Sequence, residues 1–413
     1  MNLFKTKSIE QSLADTDEPE YQLKKSLTAL DLTVFGVGVV IGAGIFTLTG
    51  RAAHNVAGPS IVISFIAAAF CCALAAMCYA EFASTVPVSG SAYTFSYASL
   101  GELFAWIIGW DLILEMFLGV SVVAQGWSAY FGVFLGKLGI IIPDSIGYGA
   151  SPFGGTLGVD LMAILLILVL GLLVSFGIKE SMRVNMVLVG VKLFIVLFVI
   201  FAGLQFVDPA NYVPFVPPAA PAAASTGFTW TQPLLQWITR AAPTNFGVSG
   251  IFAGAALVFF AYIGFDVVAT AAEETKNPQR DLPIGIIASL TICTVLYCAV
   301  ALVVTGMVRY DQLDPKAALA NAFAAKGQGW MATLISAGAV AGLTTVVLTL
   351  MVGSTRLIFA MCRDNLLPIG LAKVHPKYRT PYLITAVVAV TCALFAGLTP
   401  IGTLEEMVNI GTL

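Results

Sequence analysis

Apolar runs long enough to cross a hydrocarbon core of about 30 Å recur from one end of the chain to the other. Inside lipid each backbone amide and carbonyl must be satisfied within the chain, so runs of this length fold as helices. The spans read as residues 30–49, 60–85, 102–127, 157–176, 185–204, 247–270, 284–307, 330–352 and 384–398. A tenth opens near Leu404 and has covered only about half of a crossing at Leu413, so the chain reads as truncated within that helix. The expected fold class is an all-α integral membrane protein.

With 58% apolar and 10% charged residues, a net charge of -3 and scattered Lys and Arg, the chain lacks the basic patch a nucleic-acid partner requires. The lipid bilayer is the partner it implies. Of its 20 Lys and Arg, Arg51, Lys137, Arg240, Arg309, Lys316 and Lys326 fall in loops on one side, Lys192 lies in a span, and the rest share the side of the N-terminus. Basic loops stay inside, which predicts a cytoplasmic N-terminus in a multi-pass protein of the plasma (inner) membrane. Residues 1–27 form a polar cytoplasmic segment with Asp15, Asp17, Glu18 and Glu20, without the apolar core of a signal peptide. The seven cysteines lie in or at the ends of spans, so no disulfide framework is expected. Residues 205–246 contain the stretch VPFVPPAAPAAA and read as an extended or partly disordered external loop.

Two spans are interrupted by glycine at matching places. The first carries Gly36, Gly38, Gly42 and Gly44, and the sixth carries Gly254 and Gly264. Broken helices so placed in the two halves of a chain point to a binding site near the membrane midplane, between inverted repeats. The halves expected are 28–206 and 247–413, the second incomplete, with 207–246 as the loop between them. If the first span unwinds, the amides of Gly42, Ala43 and Gly44 open at the start of a half-helix, where a carboxylate is favoured. Unwinding at Ile263 and Gly264 would free the carbonyls of Phe260, Ala261 and Ile263 to accept from an ammonium. Amides on one side and carbonyls on the other match an α-amino acid zwitterion, whose burial is otherwise costly. The alternative is that these glycines only allow helices to pack closely. Asp266, just below the second break, reads either as a site carboxylate or as a cap for local backbone.

Lys192 stands in the fifth span, and an ionisable residue there is a functional candidate by default. Burial disfavours its charged form, which suits a group that takes up and releases a proton. Its stem could instead snorkel to the interface. Asp111 and Glu115 share one face of the third span at i, i+4 spacing, with Glu115 deeper, as an accessory site group or a structural hydrogen-bonding partner. His54 and His375 are the only histidines and lie far apart in loops, so no metal site is expected. There is no phosphate-binding loop and no GxSxG elbow, so neither catalytic residues nor a cofactor are expected.

The stretches GVGVVIGAGIF (36–46), CYAEFASTVPVSGSAYTFSYASLGE (78–102), GWDLILE (109–115), AYIGFDVVATAAEETKNPQRDLPIGI (261–286) and STRLIFAMCRDNLLP (354–368) resemble the cationic amino acid transporter family of the amino acid, polyamine and organocation superfamily. The resemblance runs from about Leu27 to Leu413. It implies an inverted five-helix-repeat core of the 5+5, LeuT-like kind, with discontinuous helices 1 and 6 and a scaffold layer around a moving bundle. It also implies a substrate site at Val40, Gly42, Ala43, Gly44, Phe260, Ala261 and Ile263. Lys192 matches a lysine that stands where sodium-coupled relatives bind an ion, which implies protons as the coupling ion.

Departures from the family pattern are Ala43, where Thr or Ser is frequent, and a longer loop before the sixth span. The loop 137–156 lacks the cysteine through which heteromeric relatives bind a partner subunit, so no disulfide-linked partner is expected. The function expected is a proton-coupled permease for small neutral amino acids. A gradient-independent amino acid or polyamine exchanger and a non-transporting amino acid sensor are the alternatives.

Overall fold

The computed structural model describes residues 6, 27–85, 91–156, 158–176, 181–221, 244–265, 267–269, 275–375 and 380–412. Helix α1, Ala29–Val40, starts at a capping box in which Thr28 Oγ1 accepts from the Asp31 amide and the Asp31 carboxylate accepts from the Thr28 amide. The segment then leaves helical geometry at Ile41 (φ -70°, ψ 96°). It resumes through a π-helical turn at Gly44–Leu48, α2 at Thr49–Ala52, a second π-helical turn at Ala53–Ala57 and a 3-10 turn at Gly58–Ser60. Next come α3 (Ile61–Thr85), α4 (Ser91–Ser99), α5 (Glu102–Lys137), α6 (Leu161–Phe176) and α7 (Ser181–Leu204). The second half contains α8 (Gly247–Phe259), α9 (Pro278–Met307), α10 (Ala318–Ala325), α11 (Gly329–Arg363), α12 (Tyr382–Leu398) and α13 (Ile401–Thr412).

Among the described residues, five helical stretches are long and apolar enough to cross a membrane, and shorter apolar helices accompany them. Two helices run well past their expected ends at 127 and 352. Helix α5 has 36 residues, about 54 Å at 1.5 Å per residue, and α11 has 35. Apolarity marks only the part of a helix that sits in hydrocarbon, whereas the helix continues until its backbone ladder is interrupted. The interruptions are residues in the left-handed region shortly after each end, Gly139 (φ 83°) and Asn365 (φ 60°).

The helices pack in two groups. In one, α9 packs on both α1 and α3, and α8 packs on α3; in the other, α5, α6, α11 and α12 all contact one another, while α7 touches both α9 and α11. Helix α13 lies on α5 and also reaches α8. The loop after α7 is more ordered than expected where it is described. Asn211 Nδ2 and Tyr212 Oη donate to the carbonyls of Gly306 and Leu302 at 2.7 Å, and Ala220–Pro221 pairs antiparallel with Thr244–Asn245. Backbone polar groups at the end of α9 thus give the loop partners that its composition does not reveal. Residues 222–243 lie outside the described residues.

Candidate substrate site

The chain leaves helical geometry in both glycine stretches. Helix α1 stops at Val40, and the amide of Ile41 is the last to bond back in its ladder, to Val37 O at 3.0 Å. Helix α8 tightens into a 3-10 turn at Phe260–Tyr262, after which Ile263 is extended (ψ 134°) and Gly264 is left-handed (φ 112°). An L side chain at Gly264 would be strained, which is why glycine ends this helix. The first turn of a resumed helix has amides without intrahelical partners, and a terminating helix has carbonyls in the same condition. The two breaks touch. A Cβ on Gly44 would lie 2.3 Å from Ala261 Cβ and 2.6 Å from Ala261 Cα, so only glycine permits this approach.

One pocket lies between the breaks. Its lining includes Val40, Gly42, Ala43, Gly44, Phe260, Ala261 and Ile263, the residues expected from sequence, and it is narrow, with a cavity volume of about 20 Å³. The far wall is Glu115, Gly119 and Val123 of α5 with Val346 and Leu350 of α11. Glu115 is 7% exposed and joins this wall, whereas Asp111, one turn earlier, does not. Asp266 lies outside the described residues.

Lys192 does not line the pocket. It is fully buried beside it, and its Nζ donates to Gly38 O and lies 3.3 Å from Thr345 Oγ1 of α11. The side chain therefore points into the protein rather than along the helix to the interface. Its stem packs against Gly342, close to Phe46. A lysine of α7 thus ties the last turns of α1 to α11.

Two residues that the sequence reading passed over hold the breaks in place. Tyr297 Oη of α9 lies 2.7 Å from both Val40 O and Ala261 O, one carbonyl from each broken segment, and its single proton is donated to one of them at a time. Tyr130 Oη of α5 donates to Phe46 O at 2.6 Å. Both sit in apolar helical runs where a tyrosine resembles any other core aromatic, and no sequence signal distinguishes them.

The sequence profile of the amino acid permease family matches residues 27–412. The chain is a member of that family. It is 46% identical over its whole length to the branched-chain amino acid permease BcaP of Bacillus subtilis (strain 168), covering 83% of that protein. It is 44% identical to the methylthioribose transporter of the same organism, again covering 83%. The vacuolar cationic amino acid transporter 4 of Arabidopsis thaliana is 37% identical, with all of this chain and 65% of that one matched. Among solved structures, a Na+-coupled sialic acid symporter in a substrate-bound, outward-open state aligns with 90% of the chain and 73% of the symporter. The TM-score is 0.57 and the identity 12%, a likeness of LeuT-like fold alone. The chain is thus a multi-pass membrane permease of the amino acid, polyamine and organocation superfamily, not an enzyme.

Proposed function

We propose that the chain is a secondary amino acid transporter that works by alternating access across the plasma membrane, with its N-terminus in the cytoplasm. The observation that carries this reading is the pocket in which residues from both breaks meet. Amides of Gly42, Ala43 and Gly44 would hold the substrate carboxylate at the start of the resumed helix. Carbonyls of Val40, Phe260, Ala261 and Ile263 would receive its ammonium, displacing the hydroxyl of Tyr297 from Val40 and Ala261. The breaks at Ile41 and Ile263 support a reading of the two segments as discontinuous helices 1 and 6 of an inverted 5+5 repeat.

Apart from Glu115, the side-chain end of the pocket is apolar, at Gly119, Val123, Val346 and Leu350, which favours neutral aliphatic side chains. That agrees in chemistry with the branched-chain substrate in the name of one relative. Lys192 would couple flux to protons. Protonated, its ammonium would be held by the Gly38 carbonyl; deprotonated, it would loosen α1 from α11. The competing reading is gradient-independent exchange, favoured by the same burial if Lys192 is only a strut. Uptake of labelled leucine into proteoliposomes, with and without an inward proton gradient, tests the proposal. Accumulation that follows the gradient is expected. Uptake that needs internal amino acid and ignores pH selects exchange, and binding without flux overturns transport.

A further inference from the structure

Where the end of α12 meets α5 and the start of α6, a buried node of polar groups lies apart from the pocket lining. Helix α12 stops at Leu398, and the last carbonyls of a helix have no partners within it. Neutral donors meet them from outside. Gln125 Nε2 of α5 donates to Ala396 O at 2.5 Å and to Thr399 O at 2.8 Å, Ser151 Oγ donates to Leu398 O at 2.5 Å, and the Asp160 amide reaches Gly397 O at 3.4 Å. Asp160 precedes α6 and is fully buried. Its Oδ1 accepts from Ser128 Oγ of α5 at 2.7 Å and from the Ala163 amide at 3.1 Å. Its Oδ2 is buried too and has no hydrogen-bond partner among the described residues. The loop before α6 folds over the node, with the Val159 amide on Ser145 O and the Leu161 amide on Ile146 O. A Cβ at Gly158 would lie 2.1 Å from Ser145 O, so only glycine carries the chain past it.

The charges in this node do not balance. The start of α6 contributes about half a positive charge and the end of α12 about half a negative one, so the ionised Asp160 leaves the node at about -1. Tyr148 stands near Asp160, Asp314 and Arg51, but Arg51 is already engaged, with its Nη1 2.8 Å from Glu405 Oε2 of α13. A proton does not complete the node, because a protonated Oδ2 is a donor and would still lack an acceptor within reach. The free valences are all on acceptor oxygens, Asp160 Oδ2 and the second lone pairs of the Gly397, Leu398 and Thr399 carbonyls. Acceptors cannot bond one another, whereas a hard cation binds several at once. We propose that this node binds a monovalent cation, Na+ or K+, with Asp160 as its charged ligand and carbonyls at the end of α12 as its neutral ones. One carboxylate matches one positive charge. Among the described residues no three His, Cys, Asp or Glu side chains gather as a transition metal requires. The ion ties α5, α6 and α12 together away from the pocket, so it braces the second helix group and does not travel with substrate.

The test is a thermal melt of the full chain in detergent across NaCl and KCl series, with ionic strength held constant by N-methylglucamine chloride. The unaltered chain is expected to gain about 3–5 °C at about a hundredfold excess of one of the two ions over its half-saturating concentration. The gain is expected to be the same with and without leucine. Asp160→Asn keeps the shape, removes the charge and is expected to abolish it. Asp111→Asn, a carboxylate outside both the node and the pocket wall, is expected to retain it in full. If Asp160→Asn does not fold, Ser128→Ala takes its place. It removes a hydrogen bond that orients the carboxylate, so about tenfold more cation is expected for the same gain. A midpoint indifferent to which cation is present points to water at the node and overturns the proposal. An unchanged cation titration in whichever variant is measured does the same. A gain that requires leucine places the ion at the substrate site and also overturns it.

Discussion

Replacing Gly44 by alanine tests the contact between the two breaks most directly. The new methyl would lie 2.3 Å from Ala261 Cβ and 2.6 Å from Ala261 Cα. Rotation of a side chain cannot relieve an approach to a Cα atom, so the two segments must separate. Forcing an extra methyl into a packed interior costs about 1–3 kcal/mol. If that cost falls on the geometry that holds the substrate, apparent affinity drops about 5- to 150-fold, because 1.4 kcal/mol corresponds to about a factor of ten. Gly42→Ala supplies the comparison within the same pocket. Its methyl meets Val346 Cγ2 at 3.2 Å, a side chain that can shift, so a smaller loss is expected. Gly190→Ala on α7 meets nothing within 4 Å and is expected to leave affinity unchanged. The assay is the concentration dependence of labelled amino acid uptake in proteoliposomes, with thermal midpoints measured on the same preparations. Wild-type affinity in Gly44→Ala would refute the argument that the breaks must touch for substrate to bind.

Further outcomes follow from the same geometry. Lys192→Met keeps an apolar stem but leaves Gly38 O without its donor, so a loss of about 1–3 kcal/mol in stability is expected, together with uptake that no longer follows a proton gradient. A thermal melt and a pH-jump uptake experiment measure the two effects separately. Tyr297→Phe removes the hydroxyl shared by Val40 O and Ala261 O, so the ligand-free protein should melt earlier and gain more from added amino acid. Comparing melting shifts across a ligand titration checks this. Gly264→Ala forces a side chain into φ 112° and to 2.7 Å from Val39 Cγ1, and reduced folded yield with loss of ligand-induced stabilisation is the expected result.

The sequence alone determined that this chain is a bundle of membrane helices, because apolar runs of that length have no other way to satisfy their backbone in lipid. It also placed the glycines at which two helices lose their geometry, since residues without a Cβ are needed where a segment turns through a left-handed conformation or touches another backbone, as at Gly264 and Gly44. Hydropathy did not reveal how far α5 and α11 extend. It reports hydrocarbon, whereas helix ends depend on local backbone stops.

Tertiary structure decided the partners. It directed Lys192 to Gly38 O instead of the interface, and it set Glu115 in the pocket wall while leaving Asp111 out of it. It placed Tyr297 across two carbonyls separated by most of the chain. It also joined Arg51 to Glu405 and left Thr47 without a partner among the described residues. These relations depend on the direction in which a side chain leaves one helix and on which helix lies opposite. Residue type and spacing along a single strand of sequence encode neither.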